Sequence, residues 1–457
     1  MEDPEESLGK LSLQSAILYQ NSECNITLID IPTSIALAQG SHDILRSTEP
    51  LEEPILIDNH VPKTPKAKET VAKETDPPLH FEYKVDIEAA LVKILANVRG
   101  PWCLPRNIVN EVPSHTESGM QIEDEEQILV TRLKEWRASK GVEEVFDFDK
   151  MMATLGATSE TNATSINSVA HPWLMSCRPA REVAGRSQVD GSVSPKEPWT
   201  SSFHNPERHA LDLTIFDNQD PRSTPEAFTF RIPSRSSFFL CDTEHSEEFR
   251  ASFRTVTEDY TLPRHFDFVL LDPPWPNGSV KRKGNYEQVG GMPHMRRMLM
   301  SANIDSYLEH NGLVGIWITN KKSLRDLVLG PGGLFETWNV GLIEEWIWIK
   351  TTTKGAPMFD LDSSWRKPYE TLLLGRAAPN AWTKPEVPPV AKRRVIAAVP
   401  DNHSRKPCLK ALIEPYMPDS NDYSALEIFS RYLVAGWTSW GNEVIKYNWD
   451  RYWASSS

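Results

Sequence analysis

From about residue 228 onward, short apolar runs alternate with amphipathic stretches. Runs at 238–241, 266–271, 313–319, 343–349, 371–374, 395–399 and 426–429 are nearly continuous in apolar residues, as strands covered on both faces require. Between them, 295–308 and 322–329 have helical character. The alternation predicts an α/β class, a Rossmann-like three-layer domain with a mostly parallel sheet over 228–457. Trp346 and Trp348 alternate on one run, share a face, and are expected in the core.

Upstream the grammar differs. Ile87, Ala90, Leu91 and Ile94 repeat at helical spacing. Further helices are expected over 125–140 and 146–155, so 80–156 reads as a small helical domain. Residues 157–227 are rich in Ser, Pro, Asn and Arg and read as an irregular linker with one short strand at 210–216. Arg178, Arg181 and Arg186 lie there, and solvation is their default role. Residues 1–79 read as largely disordered, with a Lys-, Thr-, Glu- and Pro-rich stretch at 62–78.

Composition narrows the chemistry. The 457-residue chain has a formal net charge of −14, whereas a protein that binds duplex mainly by charge neutralisation is normally basic. Any positive surface must be local or supplied by a partner. Five scattered cysteines form no C-x-x-C pair, and twelve histidines show no ligand spacing. Neither a disulfide framework nor a metal site is expected, and a reducing compartment is. The acidic start lacks the apolar stretch of a secretory signal. No run of about 18 apolar residues exists, so no membrane association is expected.

One tetrapeptide stands out. The apolar run 266–271 leads directly into Asp272-Pro273-Pro274-Trp275. Ligands of open α/β sheets sit outside the carboxyl ends of strands, which is where Asp272 falls. A carboxylate and the Pro273 carbonyl could each accept one N–H of an aromatic amine. Two prolines present their carbonyls rigidly with no competing donor. Trp275 offers a face for stacking on a base. The plain alternative is a strand ending in a Pro-Pro turn, with Trp275 as a lid on the core.

The tetrapeptide after its strand resembles the eukaryotic adenine-N6 methyltransferases marked by Asp-Pro-Pro-Trp. Three segments are similar to the branch called methyltransferase-like protein four: 272–282, 367–376 and 436–443. They occur in the family's order and cover about 230–450. The resemblance implies methyl transfer from S-adenosyl-L-methionine to the N6 amine of adenine in nucleic acid. Asp272, Pro273, Pro274 and Trp275 would be catalytic.

The resemblance also implies the cofactor contacts. Asp242 and Thr243 match the segment that meets the cofactor's adenine, Lys406 its carboxylate, and Glu427 and Arg431 its ribose. Asn442 and Glu443 match a pair on the nucleoside, and Asp272 would also touch the methionine ammonium. Singly, Glu427 or Arg431 reads as a surface ion-pair member, Asp242 as a helix cap and Asn442 as a turn residue. Their joint placement favours the cofactor. After Arg431 the chain departs from the messenger-RNA enzymes, with Tyr432-Leu433-Val434-Ala435 where they carry a polar His-Asn. The absence of G-x-G-x-x-G leaves no dinucleotide fingerprint.

On the substrate side, Asn277, Lys281 and Arg282 follow the tetrapeptide in a basic loop suited to phosphate. Lys350 ends a strand, and Lys367 and Glu370 match family positions, with Tyr369 between them able to stack. Lys392, Arg393 and Arg394 form a second basic cluster, suited to an edge or to phosphate. The partner expected is nucleic acid, RNA before DNA, with 2′-O-methyladenosine in small nuclear RNA implied by the branch. A nuclear location is expected, with a cytoplasmic pool as alternative, and a protein partner is left open. Rival functions are a silent nucleic-acid-binding scaffold, or methylation of protein or a small molecule.

Overall fold

The structure, a computed structural model, describes residues 15–41, 43–56, 74–108, 122–138, 172–180, 195–217, 227–276, 291–363, 366–402 and 405–454. Its centre is an eleven-stranded sheet. Numbered along the chain, its strands are β1 Ile17–Gln20, β2 Ile26–Ile29, β6 Ser202–His204, β9 Ser237–Phe239, β10 Phe266–Leu271, β11 Leu308–Ile318, β12 Val340–Lys350, β13 Tyr369–Ala377, β14 Lys392–Ala398, β15 Ala425–Ile428 and β16 Thr438–Trp440. The order is β1-β2-β14-β12-β13-β11-β10-β15-β16-β9-β6. Strands β1, β6 and β13 run against the rest. Every other pairing is parallel, so the mostly parallel, Rossmann-like sheet is confirmed.

Helices cover both faces. On one, α4 Ser246–Tyr260, α5 Gly291–Ser301, α6 Lys322–Leu329 and α7 Leu334–Thr337 enclose a core with Val269, Leu271, Ile316 and Leu426. Phe249 of α4 stacks on Trp440 at 4.2 Å and 2°. On the other face, α1 Ile31–Ala38 and α8 Lys410–Ile413 cover Phe268, Trp317, Trp346 and Trp348. The two tryptophans of β12 are buried in the core, as their spacing predicts.

From β10 the chain moves to β11–β14 on one side, then returns to β15 on the other. The carboxyl ends of β10 and β15 therefore flank a topological switch point, the usual crevice for ligands.

The N-terminal divisions need correction. Within 1–79, β1, β2 and α1 are ordered parts of the main sheet and its cover. The 80–156 helical domain divides between two cores. Helix α2, Pro77–Asn97, starts at Asp76, whose side chain accepts the Leu79 N–H, and has Pro77 in its first turn. It buries Tyr83, Ile87, Ala90 and Ile94 against β2, β12 and β14. Helix α3, Ile122–Ala138, packs Leu129, Leu133 and Trp136 on a second sheet. The expected third helix lies outside the described residues.

That second sheet occupies the expected linker. It pairs β5 Glu197–Pro198, β4 Trp173–Pro179, β7 Leu211–Asp217 and β8 Ala227–Ile232 in that order. Arg178, in β4, lies 3.7 Å from Asp212; Arg181 and Arg186 are outside the described residues. A two-stranded pair joins β3 Ile44–Leu45 to β17 Trp453–Ala454. Short strands joined across long sequence gaps carry no local signature, which is why 157–227 reads as irregular.

Candidate active site

The strand FDFVLL is apolar at every position but one, and it delivers Asp272 to the carboxyl edge. The exception, Asp267, accepts the Ser424 N–H at 2.9 Å and its hydroxyl at 3.0 Å, which ties β10 to the turn before β15. The Asp272 N–H reaches the Ile428 carbonyl at 3.4 Å, joining the two strand ends at the switch point.

Four charged side chains form a chain along this edge. Lys350 Nζ lies 2.6 Å from Glu370 Oε1, Lys406 Nζ 2.9 Å from Glu370 Oε2, and Lys406 Nζ 3.1 Å from Asp272 Oδ1. Below them lie indoles: Lys406 sits 5.3 Å from the Trp317 ring centre and 5.8 Å from Trp348, and Lys350 4.7 Å from Trp348. Burial opposes the charge on Glu370, but Lys406 and Lys350 hold its carboxyl well below the usual range. Burial likewise opposes the charge on Lys406, and Asp272 and Glu370 raise it above an ordinary lysine.

Glu427 of β15 is 8 % exposed. Burial first, and then the Asp272 carboxylate, push it up to about 8, against a hydrogen bond with Ser430. Between its ordinary 4.5 and about 8, the folded chain keeps a proton that the unfolded chain has released. Stability tied to that proton is full below 4.5 and is lost as pH rises through about 8. Urea unfolding of Glu427→Gln should therefore show a shallower decline over this window than the unaltered chain. Parallel declines would mean the carboxyl is ionised in the fold.

Next to Glu427 the backbone turns sharply. Phe429 has φ 66°, a left-handed conformation uncommon for a bulky residue, and its N–H donates to the Trp440 carbonyl at 2.8 Å. The turn carries Arg431, whose Nε lies 3.6 Å from Glu443 Oε2. Lys446 approaches the same oxygen at 3.6 Å. At the neighbouring ends of β9 and β16, the Thr243 N–H donates to Asn442 Oδ1 at 3.0 Å, and Asn442 Nδ2 reaches Asp242 Oδ1 at 3.5 Å. Arg137 of α3 lies 3.7 Å from Asp242.

The candidate residues thus line one edge in two groups. Asp242, Thr243, Asn442, Arg431 and Glu443 gather at β9, β16 and β15. Asp272, Lys406, Glu370 and Lys350 gather at β10–β13, and Glu427 lies between them. Lys367 stands apart: it donates to the Leu361 carbonyl at 3.0 Å and lies 3.0 Å from His80 Nε2. Asn277, Lys281 and Arg282 lie outside the described residues.

Two expectations are corrected. Trp275 offers no free face. It is 5 % exposed, packs in the core beneath α5, and donates its indole N–H to the Trp317 carbonyl at 2.6 Å. The indole anchors the tetrapeptide from below. Trp275→Phe should lower the unfolding free energy by about 2 kcal/mol through the lost buried hydrogen bond, measured by urea titration. An unchanged midpoint would show the bond to be dispensable.

The Lys392–Arg393–Arg394 cluster does not guard an edge. β14 lies between β2 and β12, and the cluster starts it, opposite the site. Arg393 pairs with Glu82, Asp86 and Glu345, and Arg394 is 4 % exposed over Trp346.

Sequence reasoning missed Trp317, near the end of β11, and Asn320 and Lys321, which follow it. Their position at a carboxyl strand end beside β10 was the available signal. Among the described residues, no group of three or more His, Cys, Asp or Glu could hold a metal ion, and no helix is long and apolar enough to cross a membrane.

Residues 266–443 match the family model described as MT-A70. The chain is 40 % identical over 238 residues to the N6-methyladenosine RNA methyltransferase MTA1 of Cryphonectria parasitica, covering 52 % of this chain and 66 % of that protein. It is 35 % identical over 225 residues to the human N(6)-adenine-specific methyltransferase METTL4, covering 48 % and 43 %. It is 30 % identical over 216 residues to the DNA N6-methyl methyltransferase of Caenorhabditis elegans, covering 47 % and 53 %. The chain therefore spans from under half to about two thirds of the length of these relatives.

Proposed function

Because residues 266–443 make this chain a member of the MT-A70 family, we propose that it methylates the N6 amine of adenine in nucleic acid, using S-adenosyl-L-methionine. The observation that carries this is the Asp272 carboxylate at the switch point, 3.1 Å from Lys406. Carboxylate and ammonium side by side complement the methionine end of the cofactor, itself an ammonium beside a carboxylate. Asp242, Thr243 and Asn442 carry donors and acceptors for an adenine, and Glu427 with Arg431 suits a ribose. Glu443 stands beside Arg431 for the rest of the nucleoside. Bound there, the cofactor supplies an electrophilic methyl group on a sulfonium.

The chain's own residues manage the amine. Asp272 accepts one N–H. The Pro273 carbonyl already accepts the Trp275 N–H at 2.8 Å, and its second lone pair is available for the other amine hydrogen. Held so, the nitrogen can turn its lone pair toward the donor, and positioning supplies much of the rate. Lys406 and Glu370 fix the Asp272 carboxylate, and the buried Trp275 fixes the prolines.

RNA is the favoured substrate, supported by the name of the fungal relative. DNA is the second reading, supported by the name of the worm relative. Within RNA, we favour 2′-O-methyladenosine in small nuclear RNA, with the enzyme in the nucleus. Incubation with labelled methyl donor and either nuclear RNA or genomic DNA, followed by nucleoside mass analysis, separates these. N6-methyladenine in neither pool would overturn the reading and favour a silent scaffold.

A further inference from the structure

A cavity of about 260 Å³ opens between the first turns of α2 and the ends of β11 and β13. Helix α2 lies outside the segment matched by the family model. The cavity touches the tetrapeptide's neighbour, because Lys321 Nζ donates to the Pro276 carbonyl at 3.0 Å. Asn320 Nδ2 donates to the Tyr369 carbonyl at 2.5 Å and holds the facing wall.

Its charges are unevenly answered. Lys321 and Lys367 both line it. Lys321 bonds a carbonyl, and Lys367 bonds a carbonyl and the His80 ring. Neither forms an ion pair among the described residues. The acids at the same cavity are already engaged: Asp76 caps α2, and Asp362 takes Lys84 at 2.5 Å. Thr319 Oγ1, in the same lining, is buried with no hydrogen-bond partner. Lys321 bonds only a neutral acceptor, Lys367 bonds neutral groups with Asp362 and Asp360 acting on it through space, and the hydroxyl beside them is unused, an arrangement suited to an anion.

Position identifies the anion. The groups suited to the cofactor's nucleoside lie on the β15, β16 and β9 side of β10, Asp272 and Lys406 answer its methionine end at β10, and the cavity lies beyond them at β11 and β13. A strand whose target base sits at Asp272 would leave the site through it. The volume falls below the roughly 300 Å³ at which pockets for drug-sized ligands begin, which suits one sugar-phosphate unit.

We propose that this cavity binds the phosphodiester next to the target adenosine, held by Lys321 and Lys367, so that α2 forms part of the substrate site. The proposal rests on the nucleic-acid reading above.

The test is equilibrium binding of a short single strand containing one adenosine. One version carries a neutral methylphosphonate at the flanking linkage. The full chain should bind the neutral strand about tenfold more weakly than the charged one. Lys321→Met should bind the charged strand about tenfold more weakly and gain no further penalty from the phosphonate. Its slope of log affinity against log salt should fall by about 0.7, the share of one phosphate contact on a single strand. Lys321→Arg should retain both affinity and slope. Lys367→Met repeats the comparison at the opposite wall.

An undiminished phosphonate penalty in both methionine variants, or unchanged affinity and slope in both, overturns the proposal. Methyl product formed with no phosphonate penalty sinks the pocket and leaves the reaction standing. A Lys321-dependent penalty without any product does the reverse. No binding by the unaltered chain overturns both.

Discussion

Asp272→Ala should abolish methyl transfer, with kcat reduced by about 10³-fold or more, the usual cost of removing a preorganised group that acts on the reacting atoms. The fold should survive. The Asp272 side chain is 34 % exposed, and Lys406 retains Glu370 when its other partner is lost. A partly exposed pair of this kind contributes about 1 kcal/mol or less to stability. Cofactor affinity should also fall, because Lys406 alone would greet a zwitterion. A second readout is internal to the protein. Asp272 is one of the causes that raise Glu427, so the variant should lower the pH at which Glu427 ionises. Asp272→Asn keeps an acceptor without the charge and should fall between. Calorimetric cofactor binding beside single-turnover kinetics separates the two losses. Full turnover by the alanine variant would remove the mechanism.

Glu345→Ala should be the most destabilising of these single changes, at about 3–5 kcal/mol, the cost of breaking a buried ion pair from one side. Glu345 is 3 % exposed in β12. Its carboxylate receives Arg325 of α6, Arg393 Nε at 3.2 Å and the Tyr83 hydroxyl at 3.1 Å. One acid thus joins α2 and α6 to β12 and β14 of the sheet, and Tyr83 and Arg325 line the cavity. The loss should be read twice, as a lower urea midpoint and as faster amide exchange in α2 than in β10. Equal exchange in both would mean that Glu345 is not what pins α2.

Much of this was legible in the sequence. The seven apolar runs from 238 onward fall within or overlap β9 to β15, because strands buried on both faces write themselves as continuous apolar segments. The Asp-Pro-Pro-Trp turn was legible for the same reason, since a buried strand ending in a polar residue marks the ligand edge. The hairpin of β1 and β2 was not. Its strands are four residues each, and their stability comes from pairing with β14, some 370 residues away. The accessory sheet shares that cause. Trp275 was misjudged because sequence shows an aromatic beside a strand-end acid but not which way the ring points. The place of α2 at the substrate cavity could not be read either. Its apolar spacing predicts a buried face without naming the surface it is buried against.

The strand order carries a practical consequence for anyone trimming the chain. Strands β1, β2, β6 and β9 all precede residue 266, so a fragment cut to the family segment would strip both flanks of the sheet. β14 and β16 would then present bare rows of amide and carbonyl groups. Such a fragment would keep the tetrapeptide and the lysine beside it, yet invite edge-to-edge self-association in place of folding.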